Sequence, residues 1–398
     1  MLQTVSNNTL KNTHPAQPFN KNIVIATGEL SGEIHATNLV KHLKESVSFT
    51  FSGMGSKRLK EENVHIVTDY QSISVTGLSE VFSRIHKVYR AYALLTQHIQ
   101  NIKPSLVILV NFPGFNMKIA KFSKAHNIPV IYFIPPQVWA WKKNRIKQIK
   151  KYVDKVVCIL PFEKPLYDHF GIESVYVGHP FTQTVKPIHS NRAEFIKNNR
   201  FPENKPIIAI LPGSRHNEIT KHMPLFMRII QNIENNLEGC TIILPLAENI
   251  DPSFVEKFIQ GKNNIVLLKG LTYDALAYSD IAIVASGSVT LEAALLGVPT
   301  IVVYKISWLS YLIAKKVVDV RYISLPNLIA RKEVFPEYIQ HINPEIVAKK
   351  ALDMLKNDKR SIQKDIDFIK MQLGTQNAYD LAKDAILQFL TFRYGTLS

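Results

Sequence analysis

Short apolar runs and longer amphipathic stretches alternate along most of the chain. Four runs rich in β-branched residues predict strands in the first half, at Asn22–Thr27, Ser105–Val110, Pro129–Ile134 and Lys155–Leu160. The stretches between them carry apolar residues at helical spacing. Such alternation of strand and helix is typical of a largely parallel sheet that is covered by helices on both faces.

The same alternation starts again after Pro180–Pro202, a segment rich in proline and polar residues that predicts a domain boundary. Five further strands are predicted at Pro206–Leu211, Thr241–Leu244, Asn264–Leu268, Ile281–Ala285 and Thr300–Tyr304. Helices are predicted at Pro344–Leu355 and Ala378–Leu390. A chain of 398 residues fits two α/β domains of about 150–200 residues each.

We therefore expect four parts along the chain. A flexible polar tail spans residues 1–20, and the two α/β domains span residues 21–186 and 187–375. Residues 376–398 are expected to form a helix that packs back on the first domain or on a partner subunit. Two α/β units of similar size are expected to face each other across a cleft.

Composition is ordinary for a soluble globular protein, with 46% hydrophobic and 20% charged residues. Cys158 and Cys240 both lie in apolar runs, which predicts buried, reduced thiols and a reducing compartment. The polar first 22 residues lack an apolar core of signal-peptide length. The apolar region Asp280–Tyr304 is interrupted by polar residues and proline, so we predict strand, helix and strand there instead of a membrane span.

The net charge of +16 implies an anionic partner of one of three classes: nucleic acid, anionic lipid headgroups or a phosphorylated substrate. The densest basic cluster contains six residues within ten positions. These are Lys142, Lys143, Arg145, Lys147, Lys150 and Lys151. Because neither a zinc-ligand cluster nor an aromatic RNA-binding signature accompanies the cluster, nucleic acid is not a predicted partner.

Ligands of open parallel sheets bind at the carboxyl ends of strands, so the strand-to-helix loops are the expected positions of a site. The loop Gly28–Glu33 has the sequence GELSGE, in which Gly28 and Gly32 allow close backbone approach next to a helix start. It matches neither a P-loop nor a dinucleotide fingerprint. Glu29 and Glu33 suit sugar hydroxyls or proton abstraction, or alternatively they complement the helix dipole.

Two loops of the second half suit an anion. In Leu211–Arg215 the backbone at Gly213 and Ser214 offers donors and Arg215 offers a planar fork that matches a diphosphate, unless the loop is an ordinary turn with a surface arginine. In the loop Ala285–Glu292, hydroxyls and free N–H groups at a helix start form an anion site. Its members are Ser286, Gly287 and Ser288.

One turn further along that helix, Glu292 is placed to accept hydrogen bonds from ribose hydroxyls, and the alternative is a solvated helix residue. Asn327, within Ile323–Leu328, both donates and accepts, although the segment alone predicts only a turn. The segment Pro135–Trp141 carries two tryptophans that either line a sugar or acyl site or cap a core.

The segment Gly77–Gln97 predicts an amphipathic helix with basic residues on its polar face. It is either an ordinary half-buried helix or one that lies in a membrane interface. Its candidate membrane or acyl contacts are Val81, Phe82, Ile85, Val88 and Tyr89.

Nine motifs occur in order across Gly28–Leu328: GELSGE, GLSEVF, NFPGFN, PPQVWAW, PFEK, GHP, LPGSR, ASGSVTLEAALLGVP and SLPNL. This ordered set resembles the lipid-A-disaccharide synthase family of inverting, metal-independent glycosyltransferases. The resemblance implies the GT-B architecture, with two Rossmann-like domains, parallel sheets and a helical C-terminus. It implies no cofactor and no metal.

The resemblance also implies the reaction and its place. UDP-2,3-diacylglucosamine would donate its sugar to 2,3-diacylglucosamine 1-phosphate, giving the lipid A disaccharide 1-phosphate and UDP. The resemblance implies that the second half holds UDP, with Arg215, Ser286–Ser288, Glu292 and Asn327 as donor-side positions. The first half would hold the acceptor and the catalytic groups, with Gly28, Ser31 and Gly32 as substrate-binding positions. A peripheral location on the cytoplasmic face of a Gram-negative inner membrane follows, and a homodimer is left open.

The chain departs from the family pattern at two positions. Glu33 replaces the aspartate of GExSGD, and Asn111 replaces the aspartate of D-x-P-x-F-N, which is taken as the general base. An amide cannot accept a proton at neutral pH. Glu29, Glu33, His35 and His179 are candidate substitutes. Two alternatives stay open: a non-catalytic or weakly active UDP-sugar or lipid binder, and another UDP-GlcNAc-using enzyme of the same architecture.

Overall fold

The computed structural model describes residues 18–72, 81–139, 144–262, 264–305, 321–356 and 360–397. The strands are β1 Asn22–Ala26, β2 Thr50–Gly55, β3 His65–Asp69, β4 Leu106–Val110, β5 Val130–Phe133, β6 Lys155–Cys158, β7 Ser174–Tyr176, β8 Ile207–Leu211, β9 Thr241–Leu246, β10 Ile265–Lys269, β11 Ile281–Ala285, β12 Thr300–Tyr304 and β13 Glu337–Ile339.

Helices follow most of these strands. They are α1 Leu30–Ser46, α2 Lys57–Glu61, α3 Val81–Ile102, α4 Pro113–Ala125, α5 Asn144–Tyr152, α6 Glu163–His169, α7 Phe181–Thr184, α8 Arg192–Asn199, α9 His216–Glu234, α10 Pro252–Ile259, α11 Thr272–Ala277, α12 Val289–Leu296, α13 Leu325–Ala330, α14 Pro344–Lys356, α15 Arg360–Leu373 and α16 Ala378–Tyr394.

The strands form two separate sheets. The first has the order β3-β2-β1-β4-β5-β6-β7 and the second has the order β10-β9-β8-β11-β12-β13. The described pairings within both sheets are parallel. The predicted α/β class with parallel sheets and a helical C-terminal part is therefore confirmed. In each sheet the strand order reverses between two neighbouring strands, β1 and β4 in the first and β8 and β11 in the second.

The chain divides into two compact units. The first holds the described parts of residues 1–136, 148–157 and 382–398, and the second holds residues 137–147 and 158–381. The end of α16 belongs to the first unit, where the Tyr394 hydroxyl donates to the Ser105 carbonyl at 3.0 Å. The second unit contains the loop around Trp139 as well as β8 to β13.

All nine predicted strands occur, with ends that differ by at most two residues from the prediction. The strands that were not predicted are β2, β3, β7 and β13. Of these, β2 has the sequence TFSGMG, whose glycines and serine hide its apolar positions, and β7 and β13 are only three residues long. Weak patterns of this kind are recognisable only once a neighbouring strand supplies the pairing.

Three of the four strands that lead to the candidate site are buried from end to end. All five residues of β4, β8 and β11 are buried, which explains their continuous apolar runs. Both cysteines are free, and burial raises the pKa of the Cys158 thiol, whereas Cys240 is only half-buried, contrary to the prediction. Over the described residues, no helix combines the length and apolar character needed to cross a bilayer.

Candidate active site

The reversal between β1 and β4 brings two predicted loops of the first unit together. The loop after β1 contains Gly28 and Glu29, and the loop after β4 contains Asn111 and Phe112. Asn116, buried on α4, fixes their spacing because its amide nitrogen donates to the carbonyls of Ala26, Val110 and Asn111, at 3.1, 3.2 and 2.8 Å. This is the edge of the sheet at which ligands of open α/β folds bind.

Three predicted residues meet at this edge. The Glu29 carboxylate accepts hydrogen bonds at Oε1 from the Ser31 hydroxyl, at 2.9 Å, and from the amide nitrogen of Asn111. Both Glu29 and Asn111 are half-buried. The backbone of Asn111 is itself anchored, since its carbonyl accepts the Tyr132 hydroxyl at 2.7 Å.

Gly28 is required by its neighbour Phe112. A Cβ added at Gly28 would lie 2.2 Å from Cδ1 of the Phe112 ring, which is far inside van der Waals contact. Phe112 has a left-handed φ of 48° and precedes the first residue of α4. The two loops are therefore packed against each other by direct contact of a backbone with an aromatic ring.

Gly28→Ala is expected to destabilise the first unit by about 2 kcal/mol, because overpacking forces Phe112 out of its place. Gly114→Ala is the matched control, since a Cβ there meets nothing within 4 Å and α4 gains helix propensity. Urea unfolding should show a loss for the first variant and a gain of about 0.5 kcal/mol for the second. Equal stability of both variants would contradict the close contact.

Glu33 is buried, and its contacts are with the segments that follow β2 and β3. Its Oε1 accepts the backbone N–H groups of Ser56 at 2.6 Å and of Leu59 at 3.4 Å, at the start of α2. Its Oε2 accepts the Tyr70 hydroxyl at 2.8 Å. Burial and this hydrogen bond raise the pKa of Tyr70 above its usual range. The contacts of Glu33 are those of an anchor between α1, α2 and the turn at Tyr70.

The two histidines named as substitutes lie in different units. Desolvation lowers the pKa of His35 to about 4, so its ring is neutral and weakly basic at pH 7. His179 is buried in the second unit. Its ring Nδ1 accepts the backbone N–H of Phe181 at 3.2 Å, and its backbone N–H donates to the Leu373 carbonyl at 3.0 Å.

In the second unit, the loop after β8 binds a carboxylate of the protein itself. The carboxylate of Glu218, in the first turn of α9, accepts the N–H of Ser214 at 3.0 Å and the Arg215 Nη1 at 2.6 Å. The Arg215 side chain is 75% exposed. Gly213 has a φ of 136° and a Cβ there would lie 2.6 Å from Cβ of Glu218. The donors predicted to bind a diphosphate thus already hold one carboxylate.

The loop after β11, the neighbour of β8, presents the predicted small residues. Ser286 is half-buried, Gly287 and Ser288 are exposed, and Ser288 precedes the first residue of α12. The Ser288 hydroxyl donates to Glu292 Oε1 at 3.2 Å, and desolvation raises the pKa of this half-buried glutamate. Burial, with the nearby Glu292 charge, raises the pKa of Tyr273 to about 12.

Asn327 is fully buried, and both the nitrogen and the oxygen of its amide make hydrogen bonds within the second unit. Its nitrogen donates to the Phe335 carbonyl at 2.7 Å and to Glu337 at 2.8 Å. Its oxygen accepts the N–H groups of Val334 at 2.8 Å and Phe335 at 2.9 Å. The four hydrogen bonds of the Asn327 amide are thus made with its own neighbourhood, residues 334–337.

Two other predicted segments are only partly described. Trp139 packs edge-on against Phe162, with ring centroids 5.1 Å apart, and its Nε1 donates to Glu163 at 3.3 Å, whereas Trp141 lies outside the described residues. On α3 the side chains of Val81, Phe82 and Ile85 lie outside them too. Val88 is half-buried and Tyr89 is 69% exposed beside Lys87 and Arg90.

Two residues with strong contacts were not predicted. Glu218 was recognisable as an acidic residue three positions after Arg215 in the first turn of a helix, where it neutralises the arginine. Glu163 lies in the PFEK motif, and its burial against Trp139 followed from no local pattern because the two residues are 24 positions apart.

A model of the family described as lipid-A-disaccharide synthetase matches residues 23–389. The chain is 38% identical to the lipid-A-disaccharide synthase of Syntrophus aciditrophicus over 368 residues, covering 91% of this chain and 96% of that protein. It is 36% identical to lipid-A-disaccharide synthase 1 of Legionella pneumophila strain Philadelphia 1 over 347 residues, covering 86% and 89%.

Solved structures with little sequence identity share the fold. The calicheamicin glycosyltransferase CalG4 aligns with a TM-score of 0.61 at 13% identity, over 94% of this chain and 99% of that one. The UDP-GlcNAc 2-epimerase of Neisseria meningitidis, solved with UDP-GlcNAc, aligns with a TM-score of 0.58 at 12% identity, over 92% and 100%. These likenesses agree with the GT-B architecture that was predicted.

Proposed function

Since the chain belongs to the lipid-A-disaccharide synthase family, we propose that it transfers 2,3-diacylglucosamine from UDP to the 6-hydroxyl of 2,3-diacylglucosamine 1-phosphate. The products are the β-1,6-linked lipid A disaccharide 1-phosphate and UDP, with inversion at the anomeric carbon. The observation that carries the proposal is the match over residues 23–389, joined by 38% identity to a synthase over 91% of the chain.

On the donor side, the proposed diphosphate site is the loop after β8 together with the start of α12. Both loops follow neighbouring strands of one sheet, on either side of its order reversal. Free N–H groups at Ser288 and the guanidinium of Arg215 stabilise the charge that develops on the leaving UDP. Because Glu218 already holds Arg215, a bound diphosphate would replace that carboxylate as the partner of the guanidinium.

The proposed location is the cytoplasmic face of the inner membrane, where both acylated substrates reside. The net charge of +16 favours anionic headgroups and phosphorylated sugars. On α3 the exposed Tyr89, between Lys87 and Arg90, offers an aromatic ring beside two cations, the combination that suits a membrane interface. On α5 the exposed residues Lys147, Lys150 and Lys151 add positive charge.

A steady-state assay of UDP release tests the proposal. We expect UDP and the disaccharide 1-phosphate to appear only when UDP-2,3-diacylglucosamine and 2,3-diacylglucosamine 1-phosphate are both present. Turnover of UDP-GlcNAc without an acylated acceptor would assign the chain to another activity. Tight donor binding without any turnover would make it a binding protein.

Arg215→Ala is expected to raise KM for the UDP-sugar by about 10- to 100-fold, because charge-assisted hydrogen bonds to the diphosphate contribute about 1.5–3 kcal/mol. Arg228→Ala is the matched control, since Arg228 is exposed on α9, the helix that Arg215 precedes. Titration with UDP by calorimetry checks the effect without acceptor. An unchanged UDP affinity in Arg215→Ala would remove this loop from the donor site.

A further inference from the structure

We propose that Glu29 is the general base of this enzyme and that Asn111 is the positioning residue that orients its carboxylate. The inference rests on the proposed function, because a sugar hydroxyl must lose a proton when it attacks. The observation behind it is the contact between the Glu29 carboxylate and the Asn111 amide, at the point where the strand order of the first sheet reverses.

The hydrogen bonds of Glu29 leave one oxygen available. Oε1 accepts the Ser31 hydroxyl and the Asn111 amide, and among the described residues none donates to Oε2. Two donors on Oε1 fix the plane of the carboxylate and direct its second oxygen. The side chain is half-buried, so the carboxylate is reachable and is also partly shielded from water.

The other candidates near this edge are less suited to the task. Glu33 is buried and its carboxylate already accepts three hydrogen bonds, two of them from backbone N–H groups. His35 has its pKa lowered to about 4 by desolvation and is therefore a weak base. The Asn111 amide has no basic lone pair at neutral pH. Glu29 remains the carboxylate with both a fixed orientation and a free oxygen.

The backbone explains why an asparagine suits position 111. Asn111 and Phe112 both have left-handed φ, of 49° and 48°, and asparagine tolerates this region better than most residues. An aspartate in the same place would put two carboxylates within hydrogen-bond distance, and such a pair cannot readily carry two charges. The Asn111 amide instead donates to Glu29. Glu29 therefore carries the negative charge, and Asn111 fixes the orientation of its carboxylate.

The proposed step balances as a single displacement. The acceptor 6-hydroxyl oxygen forms a bond to the donor anomeric carbon while the bond from that carbon to the UDP oxygen breaks. The electron pair of the broken bond leaves with UDP. The hydroxyl proton passes to Oε2 of Glu29 and is later released to water.

The first test is Glu29→Gln in the full chain. We expect kcat to fall by about 10²–10⁴-fold, the typical contribution of a general base, with KM for the donor and the UDP dissociation constant unchanged. Glu45→Gln is the matched control, because Glu45 is an exposed glutamate on α1, the helix that Glu29 precedes. A kcat within threefold of the unaltered enzyme would overturn the assignment of Glu29.

The second test exchanges the two groups. Asn111→Ala removes the donor and should lower kcat about 10-fold without changing KM. The double variant Glu29→Gln with Asn111→Asp restores one carboxylate and one amide with their places exchanged, and it should recover at least 10-fold of the kcat lost in Glu29→Gln. A purely structural role for the pair predicts no such recovery, and its absence would overturn the positioning role of Asn111.

Failure of this inference is distinguishable from failure of the proposed function. If the unaltered enzyme releases no UDP from the two acylated sugars, the proposed function fails. If it does so and Glu29→Gln is equally fast, only the inference fails. If Glu29→Gln is less stable in urea, Glu29→Ala is assayed with added sodium formate. Formate restores turnover to a variant that lacks only its base. If formate restores no turnover, the result counts against the proposal.

Discussion

Glu33→Ala is expected to lower the free energy of unfolding by about 4 kcal/mol, whereas Glu33→Gln costs about 1 kcal/mol. The alanine leaves the N–H groups of Ser56 and Leu59 and the hydroxyl of Tyr70 without their acceptor in a buried place. Buried donors that lose their partner cost about 1–3 kcal/mol each. Glutamine retains one oxygen for the two N–H groups, and its nitrogen donates to the Tyr70 oxygen.

Urea unfolding of the two variants measures this difference, with Glu45→Ala on the same helix as an exposed control. The variants Glu33→Ala and Glu33→Gln also show whether Glu33 is a structural anchor or the general base. An anchor keeps most of its kcat in Glu33→Gln, because the fold survives, while a general base loses it. A variant Glu33→Gln that is stable and inactive would transfer the base from Glu29 to Glu33.

The sequence predicted the strands and the loops after them better than the contacts that the residues of those loops make. Buried strands are continuous apolar runs, so β1, β4, β8 and β11 and the loops after them were found from pattern alone. Glu29 and Glu33 are four positions apart on the same helix start and have the same side chain. Only the structure separates them, because α2 and Tyr70 cover Glu33 and leave Glu29 beside Asn111.

Contacts with residues outside the local pattern account for what the sequence did not predict. The resemblance implies a donor-side role for Asn327, and its amide is held by Val334, Phe335 and Glu337, the last of which lies on a strand too short to predict. That role in donor binding stays a prediction. Similarly, the tryptophan motif predicts either a ligand site or a core cap, and for Trp139 the structure supplies Phe162 and Glu163 as neighbours.

We expect the buried carboxyl group of Glu163 to make the free energy of unfolding depend strongly on pH. It is almost fully buried beside Trp139, and desolvation raises its pKa from 4.5 to about 7, although the N–H groups of Trp139 and Leu160 oppose the shift. A folded-state pKa above the unfolded value means that the folded protein binds the proton more tightly. The stabilisation is therefore complete below pH 4.5 and is lost as the pH rises through 7.

Each pH unit between the two pKa values contributes about 1.4 kcal/mol, so the free energy of unfolding should fall by about 3 kcal/mol between pH 4.5 and pH 7 through this group alone. Glu163→Gln carries no titrating proton and should remove that decline, while Glu173→Gln, at an exposed position of the same unit, should keep it. Urea unfolding at pH 5 and pH 8 measures the difference. Because glutamine also avoids burying a charge, the variant is expected to gain most relative to the unaltered chain at pH 8, and parallel pH profiles for the two proteins would contradict the raised pKa.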